Sequence, residues 1–105
     1  MPTETTGWRC TTCGFVLFVP VPASLSVSQL GLYNDARFPG RSIVVLNRHV
    51  AALEDLADSE RNAFWADATT VGRAVKRVTG CARVNYAVLG NAEPHLHVHV
   101  IPRRP

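Results

Sequence analysis

Three of the four histidines in the chain stand at every second position, in His95-Leu96-His97-Val98-His99. Successive side chains of a β-strand point to opposite faces, so the three imidazoles share one face while Leu96, Val98 and Val100 share the other. Such a strand offers an apolar face to a core and keeps a second face for chemistry. A neutral imidazole near pH 7 is a nucleophile, a proton carrier and a metal ligand. Clustered imidazoles repel one another once protonated, so packing alone is a poor reason for them. A catalytic site and a metal site are the two readings left. As one shared metal site the triplet is badly arranged, because same-face neighbours on a strand lie about 6.5–7 Å apart.

A second group of chemical side chains lies at the other end of the chain. Cys10-Thr11-Thr12-Cys13 has the spacing of half a tetrahedral zinc site, which alone is a weak signal. His49 and His95 would complete a Cys2His2 set. A metal there would pin the N-terminal segment to the edge of the histidine strand and stabilise a small domain. The other reading is free thiols, with His49 hydrogen-bonded locally. Cys81, after Gly80, reads as a small buried residue. An odd cysteine count and a polar stretch from Met1 to Arg9, unlike a signal peptide, give the expectation of reduced thiols in the cytoplasm.

The elements that must position these groups follow from periodicity. Phe15 to Val19 reads as a first strand or extended segment ended by Pro20 and Pro22. Leu25 to Tyr33 reads as a strand with Val27, Leu30 and Leu32 inward. Asn34-Asp35 and Pro39-Gly40 mark a loop. Ser42 to Leu46, with four aliphatics in sequence, predicts a strand buried on both faces. A short turn or helical piece over Val50 to Leu56 precedes a long helix capped by Ser59 and stopped at Gly80. Phe64, Ala68, Val71, Val75 and Val78 form its apolar stripe. Lys76 and Arg77 suit its last turn. Arg83 to Leu89 is the next strand, with Val84, Tyr86 and Val88 alternating against Asn85, Ala87 and Leu89. His95 to Ile101 is the last, stopped by Pro102. Strands around one central helix, with the final two near enough to form a hairpin, predict an α+β fold with an antiparallel sheet.

The chain of 105 residues, 47% of them apolar, suits one domain over residues 1–105. A net charge of +3, dispersed along the chain, fits a small anionic substrate and lacks the basic stripe of a nucleic-acid binder. Arg103-Arg104 reads as a solvated terminus. No apolar run approaches the ~20 residues that span a bilayer.

The motif His95-Leu96-His97-Val98-His99-Val100-Ile101 resembles the histidine triad of the histidine triad (HIT) family. The resemblance extends through Pro39-Gly40-Arg41-Ser42-Ile43-Val44-Val45-Leu46-Asn47-Arg48-His49, through Arg83-Val84-Asn85-Tyr86-Ala87-Val88-Leu89-Gly90-Asn91, and to the N-terminal cysteine pair. It implies a small α+β unit that pairs as a homodimer through the helix-bearing side, and because one short sheet cannot cover the apolar helix stripe, part of that stripe is expected against the second copy. It implies a purine-nucleotide substrate, no organic cofactor, and hydrolysis or transfer at the α-phosphate of a dinucleoside polyphosphate or nucleoside phosphoramidate. His97 would attack the α-phosphorus and form a nucleotidyl-histidine, which water then releases as a nucleoside monophosphate. His99 would donate to the phosphate oxygens, in neutral or cationic form. His95 would act through strand geometry or as a zinc ligand. Asn34, Asp35, Asn85 and Asn91 are the candidate nucleotide contacts.

The chain departs from the family pattern at several points. An ungapped alignment from Pro39 puts Tyr33 where an aspartate usually meets the ribose, so Asn34 or Asp35 must shift to serve, or merely shapes a turn. The phosphate loop is cut to Leu89-Gly90-Asn91-Ala92-Glu93-Pro94. Asn91 stands where many members carry glutamine, and Ala92 where a hydroxyl often contacts phosphate. The tail after Ile101 is shorter than in relatives that complete the site with it. These departures keep a second reading open, a nucleotide-binding interaction protein with negligible turnover.

Overall fold

The computed structural model describes residues 8–17, 19–90 and 94–104. The histidine strand is an inner strand of the sheet. Strand β7 (His97–Arg103) lies between β5 (Ser42–Leu46) and β6 (Arg83–Ala87) in an antiparallel five-stranded sheet of order β3-β4-β5-β7-β6. β4 is Ser28–Leu32 and β3, at one edge, is Pro20–Val21. A separate two-stranded ribbon pairs β1 (Trp8–Arg9) with β2 (Val16–Leu17).

The alternation in β7 sorts the molecule into two apolar clusters. Leu96, Val98 and Val100 face helix α1 (Asp58–Thr79), joining Val44, Leu46, Phe64, Ala68, Val71 and Val75 in the larger one. The histidine face is also covered. Ile43 and Val45, whose register partners are His99 and His97, pack with Cys10, Phe15 and Leu17 of the N-terminal ribbon. β5 is therefore buried at all five positions, as its aliphatic run predicts. Gly31 of β4 makes the ribbon's approach feasible. A Cβ there would stand 2.5 Å from Leu17 Cδ1 and 3.0 Å from the Val19 carbonyl oxygen.

Several boundaries differ from the sequence expectation. The first helical residue is Asp58, after an extended Ala57 that uses no side-chain cap. The charges of Asp58 and Glu60 face the helix N-terminus instead of a Ser59 hydroxyl. Gly80 ends the helix in the left-handed conformation, its N–H donating to the Lys76 carbonyl at 2.9 Å. A 3-10 turn at Leu53–Asp55 occupies the expected short helical piece. The last strand begins at His97 and runs through Pro102 to Arg103. Arg103 turns its carbonyl to Ala82, so Pro102 turns the side without an N–H toward β5, which has already ended at Ser42.

The helix stripe needs no second copy to bury it. Phe64, Ala68, Val71 and Val75 are covered by the chain's own sheet, and only Val78, 84% exposed, stands free. Leu32, expected inward, is likewise exposed. Among the described residues, no helix is long and apolar enough to cross a membrane.

One polar group breaks the helix stripe. Asp67 is buried between Phe64 and Ala68 and collects the start of β4. Its Oδ1 accepts from the Ser26 N–H and hydroxyl at 2.9 and 3.0 Å, and its Oδ2 from the Val27 N–H at 2.9 Å and from the Ser28 hydroxyl. Burial pushes its pKa up, but these donors together outweigh that and hold it below the usual carboxylate value. A carboxyl depressed on folding contributes stability that is present above its unfolded pKa and lost as pH falls through its folded one. Asp67→Ala leaves these donors unpaired and should cost about 2–4 kcal/mol. Urea denaturation at pH 7 and pH 3 tests this, and the gap between wild type and variant should narrow at the lower pH.

Candidate active site

The three histidines are brought together and all are buried: His95 is 0%, His97 6% and His99 7% exposed. Each has one ring nitrogen tied to a neighbour that fixes its tautomer. The His97 Nδ1–H donates to the His95 carbonyl at 2.6 Å, which leaves the Nε2 lone pair free. The His95 Nε2–H donates to the Leu46 carbonyl at 2.7 Å, which leaves its Nδ1 free. Nδ1 of His99 accepts from the Arg41 guanidinium at 3.1 Å, because arginine can only donate. Burial first, then the charges of Arg41 and His97, push the His99 pKa down to about 4. Its ring is neutral at pH 7, and the cationic form expected as one alternative is disfavoured.

A cavity of about 760 Å³ opens beside these rings, lined by Phe15, Leu17, Tyr33, Asn34, His97 and His99 among others. That is within the size range of small-ligand sites. Phe15 is one wall, its ring centroid 5.2 Å from His97 and 5.6 Å from His95. Tyr33 is another, edge-on to His99 at 5.1 Å.

The expected nucleotide contacts fall in different places. Asn34 is exposed and lines the cavity. Asp35 points elsewhere. Its side chain is 6% exposed and its oxygens accept from Arg37 at 3.0 and 3.1 Å and from Arg41 at 2.8 Å. The Arg37 hydrogen bond, helped by Arg41, holds the carboxyl down to about 2. Asp35 thus has no free oxygen aimed at a ribose. Asn85 shares the histidine face but pairs with Ile101, one step beyond Ala87, the partner of His99. Asn91 and Ala92 lie outside the described residues.

The cysteines and the remaining histidine converge behind His95. One ligand atom each from Cys10, Cys13, His49 and His95 lies within 4.8 Å of the others. Cys10 Sγ is 3.7 Å from His49 Nδ1, and Cys13 Sγ is 3.6 Å from His95 Nδ1. A tetrahedral zinc with ordinary Zn–S and Zn–N bonds requires sulfur and nitrogen about 3.6 Å apart. The set fits that ion. The His95 ring also has the outer hydrogen bond that orients a ligating imidazole. The Cys13 amide, opposed by burial and aided by the Thr12 amide, Cys13 and His49, lowers the Cys10 thiol to about 6.

Two contributors escape the sequence reading. Asp67 has a legible signal, an ionisable residue inside an apolar helical stripe. Arg41 has none, since its partner His99 is 58 positions away.

The HIT domain family model matches residues 27–105, three quarters of the chain, and the chain belongs to that family. Its sequence is 31% identical over 71 residues to the Bis(5'-nucleosyl)-tetraphosphatase [asymmetrical] of Schizosaccharomyces pombe. That stretch is 63% of this chain and 39% of the relative. Its fold is similar to the crystal structure of a histidine triad protein from Bradyrhizobium japonicum, with 32% identity and a TM-score of 0.73, over 81% of this chain and 64% of that one. The C. elegans NitFhit structure matches 96% of the chain at a TM-score of 0.77, covering 26% of its own length at 23% identity. The chain thus spans less than two thirds of each of these relatives.

Proposed function

We propose that the chain hydrolyses or transfers at the α-phosphate of a nucleotide conjugate, a dinucleoside polyphosphate or a nucleoside phosphoramidate, with His97 as nucleophile. The observation that carries this is the 2.6 Å hydrogen bond from His97 Nδ1–H to the His95 carbonyl, which leaves Nε2 bare on the cavity wall. Family membership and the tetraphosphatase relative support the substrate class. In the first step the Nε2 lone pair forms a bond to the α-phosphorus, and the bond to the leaving group breaks with its electrons, an amine leaving group taking a proton from solvent. In the second, water attacks the phosphorus and gives up a proton to solvent, the P–N bond returns its electrons to Nε2, and a nucleoside monophosphate departs. His99 donates to the phosphate oxygens throughout. Asn34, which lines the cavity, would meet the nucleoside.

His97→Ala should lower turnover by at least three orders of magnitude while nucleotide binding changes little, because the ring supplies a bond in the reaction and limited contact before it. The assay is hydrolysis of adenylated and guanylated compounds, with intact mass of quenched samples. Wild type should gain the mass of a nucleoside monophosphate and His97→Ala should not. Wild type that binds these compounds without turning over any of them would favour the interaction protein instead.

The same reading places structural zinc on Cys10, Cys13, His49 and His95, where it would cross-link the ribbon to the start of the histidine strand. Elemental analysis should find about one zinc per chain, and Cys10→Ser should lose it. The thermal midpoint should fall by about 5–10 °C, the size of a 1–2 kcal/mol loss in a chain this short. Protein purified without chelator and free of zinc would refute the assignment.

For assembly we propose a homodimer through β6 and the end of α1. β6 is the outer strand of the sheet, and Val78, Tyr86, Val88 and Leu89 expose apolar surface beside it. Light scattering at micromolar concentration should give twice the chain mass, and Val78→Asp with Leu89→Asp should halve it.

A further inference from the structure

We infer that Arg41, held by Asp35, is a positioning residue that fixes His99 as a neutral donor with its proton on Nε2, facing the phosphate. The inference rests on the proposed function for the role of that proton, but the geometry stands by itself. Arg41 is a bridge. One Nη donates to Asp35 Oδ2 at 2.8 Å, and the other to His99 Nδ1 at 3.1 Å. Its side chain is 13% exposed, and the Tyr33 ring lies 4.3 Å from its guanidinium carbon. The stacking follows from the backbone, since the Tyr33 N–H donates to the Arg41 carbonyl at 2.9 Å. Asp35 is anchored in turn by Arg37. A planar guanidinium can serve both partners at once, which an ammonium on a flexible stem does poorly.

The chemical consequence comes from what arginine cannot do. It never accepts a proton in this range, so a ring nitrogen facing it must be the bare one. The remaining hydrogen of neutral His99 is then on Nε2. A cation on Nδ1 draws density from the ring and strengthens that N–H as a donor, without the ring itself becoming charged. Among the described residues, other neighbours do not compete for the proton. His97 from β7 has its own N–H committed to His95, Tyr33 presents its edge, and the register partners Ile43 of β5 and Ala87 of β6 carry no charge. A free imidazole with a pKa near 6.5 would change charge across the physiological range. This one is a donor of constant charge there.

The test is nitrogen NMR of the full chain with its histidines 15N-labelled, His99 being assigned from its loss in His99→Gln. Wild type should show His99 with a bare Nδ1 and a protonated Nε2, and no titration between pH 5.5 and 8, a window set by its lowered pKa. Arg41→Met should raise the His99 pKa by about 1–2 units and mix its tautomers. It should lower kcat by about 10–100-fold with KM changed by less than about twofold, and add an acid limb to the kcat profile. Asp35→Asn, which keeps an acceptor for Arg41 but loses the charge, should lie between. His99 protonated on Nδ1 in wild type, or titrating near 6.5 there, would overturn the inference even if Arg41→Met failed to fold. So would a raised KM with unchanged kcat in Arg41→Met, which marks a direct phosphate ligand. The spectrum needs no substrate, so a failed turnover assay would count against the proposed function and leave this result intact.

Discussion

A neutral imidazole has one nitrogen that donates and one that accepts, and its neighbours decide which is which. In this chain that constraint is imposed three times along one strand. The carbonyl of Leu46 takes the Nε2 proton of His95, the carbonyl of His95 takes the Nδ1 proton of His97, and the guanidinium of Arg41 occupies Nδ1 of His99. Three identical side chains thereby present three different faces: a lone pair toward the cysteines, a lone pair toward the cavity, and a hydrogen toward the cavity. The alternation of β7 puts the rings side by side, but their division of labour comes from what each one touches.

Two of the three partners are backbone carbonyls, supplied by β5 and by the histidine strand's own approach. They need only the sheet register, which the antiparallel pairing of Val44 with Val98 and of Val45 with His97 secures. The third partner is a side chain and depends on a loop. Arg41 precedes β5 directly, and its carbonyl receives the amide that follows β4, so the turn between the two strands aims it. The larger apolar cluster holds all this from behind. Phe64, entirely buried in that cluster, and Asp67, gathering the start of β4, make α1 the clamp on the sheet.

What could be read from the sequence was what local periodicity encodes. The buried run Ser42 to Leu46, the helix ending at Gly80 and the shared face of the histidines all follow from spacing. The convergence of Cys10, Cys13, His49 and His95 was legible as a combination of ligand types, and the fold brings their ligand atoms within 4.8 Å. Pairings between distant segments were hidden. Nothing near Phe15 or Leu17 says that a two-residue strand will roof the histidine face, and nothing near Arg41 says that its guanidinium will reach His99, 58 positions on. Asp35 looked like a ribose contact because a loop carboxylate beside a nucleotide site commonly is one. Here the same chemistry faces inward. Pro102 misled for a related reason, since a proline stops a strand only if its missing N–H was needed.

The two clusters on either side of β7 are unequal, and this sets the order in which the molecule can come apart. The helix side is broad and closed by a 22-residue helix. The ribbon side rests on five buried residues and two short strands. Local opening draws on the weaker unit, so the ribbon can part from the sheet while β5, β7 and α1 stay folded. With the ribbon parted, Phe15 would no longer cover His97 and the pocket would lose a wall. Backbone amides of the ribbon should therefore exchange with water through small fluctuations, and those of the central strands only through collapse of the whole.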